Sequence, residues 1–499
     1  MRKSVRSRGG IGAAALAGLC LTALSASAQD KPITTSRDNG DTVKVTVSGD
    51  VVLDYVWRGR EVSEFVNPGG FGAGAATHNI NDFEGYAAIR LNADLSDKVS
   101  AVVEMGTKRV DGGGILNWGN AAANGILLRE GQVNLSDFLI NDLKAQIGIT
   151  TWSFDVRGKG ESMAFDLRHS QQITQNMTLG GTTGLTTREG NGALGARAGT
   201  KDELEPVGLV LTYSRDALKV DAVILPAIVE GGFTASDEAL YAVDFMYTLD
   251  AVGKGSHLGA IIAAHQFVSP LAGPGGELMW TIGGGGDFWL MDRALEVYAE
   301  AYGQFGTVAK PAAGPSIKAG GTAFQLGADY HLPNNANNLW AGINYTYYSG
   351  DNDQNAGNTT MDRFCAYSNM HDLMILEDMY TGFDWKSNYW ALKIDGGLAL
   401  SLGSGKNNLE LSAIFGFART QSTDTFTPAG ALATTVNTHK LGDEIDLKAR
   451  WLLNKQASIN VGVGFLFSSD ILKYSMLTNG DNRDKTGSEM YTIGLDVRF

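Results

Sequence analysis

The last nine residues of the chain alternate without a break, with Tyr491, Ile493, Leu495, Val497 and Phe499 on one side and Thr492, Gly494, Asp496 and Arg498 on the other. Successive side chains of a strand point to opposite faces, so this segment turns an unbroken apolar row one way and an Asp and an Arg the other. One face requires oil and the other requires water. The wall of a transmembrane β-barrel supplies both, with lipid outside and a polar lumen inside.

The same alternation recurs along the chain. It is found at Phe83/Gly85/Ala87/Ile89/Leu91/Ala93/Leu95, Tyr241/Val243/Phe245/Tyr247, Leu295/Val297/Ala299/Ala301/Phe305 and Trp390/Leu392/Ile394/Leu398, and again at Leu409/Leu411/Phe415/Phe417, Ile445/Leu447/Ala449/Trp451 and Ile459/Val461/Val463/Phe465/Phe467. These runs have the roughly 9 to 11 residues that a tilted strand needs to cross a bilayer. Short turns fall at Ser96-Asp97-Lys98, Ile140-Asn141-Asp142, Arg215-Asp216, 249–256, Asp292-Arg293, 333–337, 403–407 and Asn454-Lys455. Between them lie longer polar or Gly-rich segments at 59–82, 110–125, 153–205, 227–238, 269–277, 307–321, 350–387, 421–440 and 469–487. Short turns on one side and long loops on the other are the asymmetry of an outer-membrane barrel. Eight turns and nine loops predict 18 strands over 43–499, an even count that lets the first and last strands close antiparallel. Segment 153–205 could instead add a hairpin, raising the count to 20, or fold inward as a constriction. Soluble sandwich strands usually run about 5 to 6 residues, and a secreted β-helix would show a short fixed repeat that is absent here. The expected fold class is therefore all-β, a transmembrane antiparallel β-barrel.

The amino terminus agrees. Arg2, Lys3, Arg6 and Arg8 precede an apolar stretch from Ile11 to Leu24 and an Ala26-Ser27-Ala28 cleavage site, so residues 1–28 read as a signal peptide. Residues 29–42 are expected to be a short periplasmic lead without a fold of its own. No run of about 20 apolar residues offers a helical span. Leu19 before Cys20 breaks a lipobox, and Cys365 has no partner in the mature chain, so no intramolecular disulfide is expected. The full chain carries 40 Lys and Arg against 54 Asp and Glu; removing four bases with the leader leaves 36 against 54, or −18. Such a surface repels nucleic acid and suits divalent cations.

The polar face of the strands nominates the lumen and selectivity residues Arg90, Glu104, Lys108, Glu296, Tyr298, Glu300, Tyr302, Lys393, Asp395, Glu444, Lys448, Arg450 and Arg498. Both signs are present with acids in excess, which predicts a water-filled pore leaning toward cations. Glu296, Tyr298, Glu300 and Tyr302 share one inward face, where acids and rings could bind a passing sugar or attract cations. Arginines or lysines on neighbouring strands are expected to answer those acids. The terminal row ending in Phe499 resembles the C-terminal signature of bacterial outer-membrane proteins, which implies that Tyr491 and Phe499 are read by the barrel-assembly machinery.

The loop after Tyr347-Tyr348 reads Ser349-Gly-Asp-Asn-Asp-Gln-Asn355, followed by Arg363-Phe364-Cys365-Ala366-Tyr367 and His371. This resembles the alginate-export family of outer-membrane barrels. The resemblance implies an 18-stranded barrel passing an anionic polysaccharide or a related solute. An acidic lumen departs from that pattern unless Arg90, Lys108, Lys393, Lys448, Arg450 and Arg498 cluster at the constriction. Asp351, Asp353, Asn355 and Asp362 mimic positions 1, 3, 5 and 12 of a calcium loop, but Ala356 replaces the turn glycine, so an ordinary solvated acidic loop is the plainer expectation. His371, Asp372, Glu377 and Asp378 are expected to serve surface or loop packing.

No G-x-S-x-G elbow, H-E-x-x-H pair or phosphate-cradling glycine loop is present, and Gly283 to Gly286 fall inside a strand. The expectation is a non-enzymatic porin without cofactor. It would admit small hydrophilic solutes, ions or saccharides and be narrowed by 153–205 or 350–387. A closed, adhesive or structural barrel is the alternative. The oligomeric state is left open. The barrel expectation is checked on a detergent gel: unboiled protein should migrate differently from boiled protein, and equal mobility together with a helical circular dichroism spectrum would exclude it.

Overall fold

The structure is a computed structural model, and it describes residues 33–36, 42–59, 80–107, 126–150, 152–157, 163–165, 206–229, 238–267, 277–309, 316–333, 335–350, 359–362, 364–366, 372–377, 388–402, 408–426, 436–469 and 487–499. Its strands are β1 (Ile33–Ser36), β2 (Thr42–Arg58), β3 (Ile80–Ser96), β4 (Val99–Thr107), β5 (Ile126–Leu135), β6 (Leu143–Ile149) and β7 (Val207–Arg215). They continue with β8 (Leu218–Val229), β9 (Glu238–Thr248), β10 (His257–Phe267), β11 (Glu277–Leu290), β12 (Leu295–Ala309), β13 (Ile317–Ala319) and β14 (Thr322–His331). The remainder are β15 (Trp340–Tyr348), β16 (Thr360–Met361), β17 (Tyr389–Leu400), β18 (Leu409–Phe426), β19 (Val436–Leu452), β20 (Ala457–Phe467) and β21 (Ser488–Arg498).

Eighteen of these strands form a closed antiparallel ring, and β1, β13 and β16 are short additions to it. Closure is made where β21 pairs with β2, with Arg498 opposite Asp50 and Met490 opposite Arg58. The pairing runs to the last residue: Gly49 N donates to Phe499 O at 2.7 Å and Phe499 N donates back to Gly49 O at 2.9 Å. The Phe499 ring lies over Gly49, at the place a β-carbon would occupy. A closed ring leaves no strand edge unpaired, which is what a hydrocarbon environment demands of a sheet.

Alternation sorts the side chains as expected. On β9, Tyr241, Val243, Phe245 and Tyr247 are 40 to 50% exposed on the outside, while Leu240, Ala242 and Asp244 between them are buried. Comparable outward rows occur at Ile343, Ile394, Ile445, Leu447 and Val461. Apolar side chains left open in this ordered way around a ring form a band that lipid, not water, must cover.

Two features add detail to the sequence expectation. Within the lead before the barrel, β1 pairs with the start of β2, Ile33 opposite Val45 and Ser36 opposite Thr42. Strand β6 has only 7 residues. Its upper end gives way at Thr150 to a segment that turns into the ring instead of continuing the wall. On the opposite side, β13 pairs with the top of β12 and lies parallel to β16, stitching loop 310–321 to loop 349–388.

The two faces of the wall should respond oppositely to charge. Val243→Arg, at mid-strand on the lipid side, should destabilise the folded barrel by about 2–4 kcal/mol in urea titrations in lipid vesicles. Ser100→Arg on the half-open lumen side should stay within about 0.5 kcal/mol. Equal effects would contradict the assignment of faces.

Candidate functional site in the lumen

Side chains from two loops fill the lumen beside β8 to β19. Trp152, Phe154, Val156, Met163 and Phe165 from the loop after β6, and Phe364, Cys365, Leu373, Ile375 and Leu376 from the loop after β15, are all buried. They meet inward side chains of the wall. The Tyr302 ring lies 6.4 Å from Phe154 of the first loop and 6.4 Å from Phe364 of the second. Tyr348 OH donates to Met163 O at 2.9 Å. Gln304 grips Cys365 at both ends of one amide, its Nε2 donating to Cys365 O at 2.8 Å and its Oε1 accepting from Cys365 N at 2.9 Å. The glycine run of β11 makes this possible, because Gly283 and Gly285 stand opposite Tyr302 and Glu300, and a β-carbon at either would strike those side chains.

Polar docking repeats the pattern. Arg157 enters a pocket of the wall where its Nη2 donates to Glu296 Oε1 at 3.2 Å and Asp329 Oδ2 at 3.3 Å, with the guanidinium 3.4 Å from the Tyr298 ring centroid. Tyr298 OH accepts from Asn344 Nδ2 at 2.7 Å. Burial alone would weaken the charge of Arg157, but Tyr298, Glu296 and Asp329 together hold its pKa above the ordinary value.

The second loop is held by a buried ammonium and two wall carboxylates. Lys393, 1% exposed, donates to Asp372 Oδ2 at 2.5 Å and to Glu377 Oε1 at 3.1 Å, while Tyr389 OH donates to Glu377 Oε1 at 2.7 Å. Glu444 accepts the N–H groups of Ile375 at 2.6 Å and Leu376 at 3.0 Å, and Asp446 accepts that of Met374 at 2.8 Å. Three successive backbone donors of one tight turn are thus received by two acids on one inward face, a charge-assisted arrangement stronger than neutral pairing. Lys448 Nζ caps the turn by donating to Asp372 O at 2.7 Å. Burial raises the Asp372 pKa, but Lys393, by charge and hydrogen bond, and then Lys448 outweigh it and bring it down to about 2.

On the wall from β2 to β7, Arg90 and Glu104 stay in contact with water, while Glu130 and Gln132 beside them are buried. Arg90 bridges Glu130 at 2.6 Å and Glu104 at 3.3 Å, and Gln132 extends the row by donating to Glu130 at 2.5 Å and accepting from Gln146. Arg450 faces Glu410 at 3.6 Å, and Arg498 faces Asp50 at 3.6 Å across the closing seam. Burial sorts the charges by sign. Among the described residues, the buried charged side chains are ten acids and a single base, Lys393.

The sequence candidates therefore divide. Glu296, Tyr298, Glu300, Tyr302, Lys393 and Glu444 come together, but as docking points for loops, with Tyr302 OH donating to Glu300 Oε2 at 2.7 Å. The cation answering Glu296 comes from the first loop, as Arg157, and not from a neighbouring strand as expected. Asp395 lies at the edge of this cluster, its Oδ1 and that of Asp329 converging over Gly342. Arg90, Glu104, Lys448, Arg450 and Arg498 remain at least partly open to the lumen. Lys108, Asp351, Asp353, Asn355, His371 and Asp378 lie outside the described residues. Asp362 accepts from Ser349 Oγ through its backbone oxygen at 2.6 Å, and no cluster of three His, Cys, Asp or Glu side chains suits a metal among the described residues. Arg157 escaped notice because its segment has no alternation. The signal available was the surplus of inward acids on β12 and β14, which requires a cation from elsewhere.

The closed 18-strand antiparallel barrel places the chain in the outer-membrane porin class of folds. No family model matches the chain, and no curated protein matches it. Among solved structures it is similar to OccK5 (OpdH) of Pseudomonas aeruginosa, with a TM-score of 0.50 at 10% identity over 91% of this chain and 98% of that one. It is likewise similar to OccAB1 of Acinetobacter baumannii, with a TM-score of 0.50 at 10% identity over 94% and 99% of the two chains. The likeness lies in the fold.

Removing the ammonium at the centre of the dock tests its role. Lys393→Met should destabilise docking of the second loop by about 3–5 kcal/mol, because Glu377 and Asp372 lose their buried partner. It should be read as faster proteolysis of 349–388 in an intact, heat-modifiable barrel. Unchanged proteolysis would remove Lys393 from this role. Because Asp372 has a depressed pKa, its contribution is complete above its unfolded value near 3.8 and lost as pH falls through about 2. Proteolysis of that loop by an acid protease should therefore rise between those values in the wild type and rise less in Asp372→Asn.

Proposed function

We propose that the chain is an outer-membrane channel through which small hydrophilic solutes diffuse passively, with the loops after β6 and β15 forming its constriction. The observation that carries this is the apolar outer row of the wall strands set against inward charges that reach water at Arg90, Glu104, Arg450 and Arg498. The two inward loops narrow the lumen from one side, so the path for solute runs along the uncovered wall. Tyr491 and Phe499, in the strand that closes the ring, serve as the signal for the assembly machinery.

The cation lean inferred from the acid excess is not retained. Glu296, Glu300, Glu444 and Asp446 receive loop donors or lie buried, and their charge is spent on docking. What faces water is a mixed wall in which Arg90 is answered by Glu104 and from beneath by the buried Glu130, Arg450 by Glu410, and Arg498 by Asp50. Such a wall passes ions of both signs with weak preference. A second reading, passage of an anionic saccharide as in the alginate-export family, is favoured by Arg90, Arg450 and Arg498, whose side chains stay partly open to water. Burial of Lys393 beneath Asp372 and Glu377 counts against the full basic cluster that reading calls for.

Planar bilayer recording tests both. Discrete conductance steps with a reversal potential within a few millivolts of zero under a tenfold KCl gradient are expected. A strongly anion-selective reversal potential would favour the saccharide reading, and a silent bilayer would point to a closed structural barrel.

A further inference from the structure

The inner face of the wall carries a second feature, which the docking of the loops does not use. Trp289 near the end of β11, His331 at the end of β14 and Trp340 at the start of β15 stand beside the short turns that join β11 to β12 and β14 to β15. All three have inward parity. Trp289 lies opposite the buried Glu296, His331 follows inward Asp329 by two residues, and Trp340 lies opposite His331. Their rings form a chain, with centroids 5.9 Å apart from Trp289 to His331 and 6.5 Å apart from His331 to Trp340, and the planes of neighbours differ by only 32°. None of the three is buried, each being partly exposed.

Two glycines shape the ground around these rings. Gly397 lies opposite Trp340 on β17, and a β-carbon there would stand 2.8 Å from Trp340 Nε1 and 3.1 Å from its Cε2. The indole therefore covers the glycine and lies over the wall as a shelf. Two residues along β15, Gly342 is paired with Asp329 on one side and Asp395 on the other, and the Oδ1 atoms of both crowd the place of its missing β-carbon. This makes a niche with carboxylate walls beside the shelf. Asp329 is engaged by Arg157, whereas Asp395 receives no loop donor among the described residues.

We propose that shelf and niche together bind a neutral saccharide, a pyranose ring stacking on Trp340 and His331 while its hydroxyls donate to Asp395. The proposal deepens the channel reading and rests on it, naming the class of solute that pauses at the turn-side mouth. A pyranose offers an apolar C–H face and a rim of hydroxyls, and an aromatic shelf bordered by carboxylate acceptors matches both. A cationic solute fits less well. Arg293, 4.8 Å from the Trp289 ring centroid, and Arg157, bonded to Asp329, already supply positive charge here. An acidic sugar would bring its own carboxylate against Asp329 and Asp395, and juxtaposed like charges are costly.

The test uses the full-length barrel refolded in nonionic detergent, with maltohexaose and cellohexaose as probes in isothermal titration calorimetry. Wild type should bind at least one of them, and Trp340→Ala should weaken that binding about tenfold through loss of a stacking ring. Trp340→Phe keeps a ring and should stay within about threefold of wild type. Tyr345→Ala, which removes an outward ring from the same strand, should bind as wild type does. Should Trp340→Ala fail to form a heat-modifiable barrel, His331→Ala should still weaken binding about threefold. A wild type that binds neither hexasaccharide, ring variants that bind as wild type does, or tighter binding of tetramethylammonium than of either saccharide would overturn the proposal. Planar bilayers separate it from the reading beneath it: a barrel that conducts ions but binds neither saccharide refutes the subsite alone, whereas one that binds saccharide yet conducts nothing refutes the channel.

Discussion

Everything in this molecule depends on the rule that a peptide group inside hydrocarbon must find its hydrogen-bond partner within the protein. A sheet obeys that rule only by closing on itself. Closure here is the pairing of β21 with β2, completed by the two backbone bonds between Gly49 and Phe499. Once the ring is shut, the period-two alternation of strands does the rest. It assigns alternate side chains to lipid and to the lumen, and a one-residue slip would invert both faces together.

The interior then poses a different problem, because a wide ring lined with acids repels itself unless something answers them. The chain's answer is to fold two loops inward and use the wall carboxylates as acceptors. Arg157 supplies a cation to Glu296 and Asp329. The turn at 373–376 supplies backbone N–H groups to Glu444 and Asp446. Glycines at inward positions give these visitors room, Gly283 beside Tyr302 and Gly416 beneath Leu373. Loop docking and charge neutralisation are therefore one arrangement, and the net acidity of the chain says little about the charge left open to the lumen.

The wall was legible in the sequence because it is governed by local rules. Alternation, strand length and the contrast between Asp216 in a tight turn and the long text of 153–205 were enough to place 18 strands and both faces. The candidate site was legible only in part. Inward acids such as Glu296 and Glu444 announce themselves by parity, but their partners lie 139 and 69 residues away in segments without periodicity. Nothing local to Arg157 or Ile375 says which strand it will meet. The same limit explains the revised selectivity: the alternation shows which charges point inward, and only tertiary contact shows which remain in water. Pairing of β1 with β2 was missed for a related reason, since a four-residue strand is too short to display a period.

Tyr302 touches both loops, its ring centroid 6.4 Å from that of Phe154 and 6.4 Å from that of Phe364. Two bodies that share one contact do not leave independently. Loss of either contact removes part of the packing of Tyr302 and so weakens the seat of the other. Phe154, Tyr302 and Phe364 thereby belong to one buried cluster, and a substitution that disturbs the ring between them acts on the seats of both inward segments.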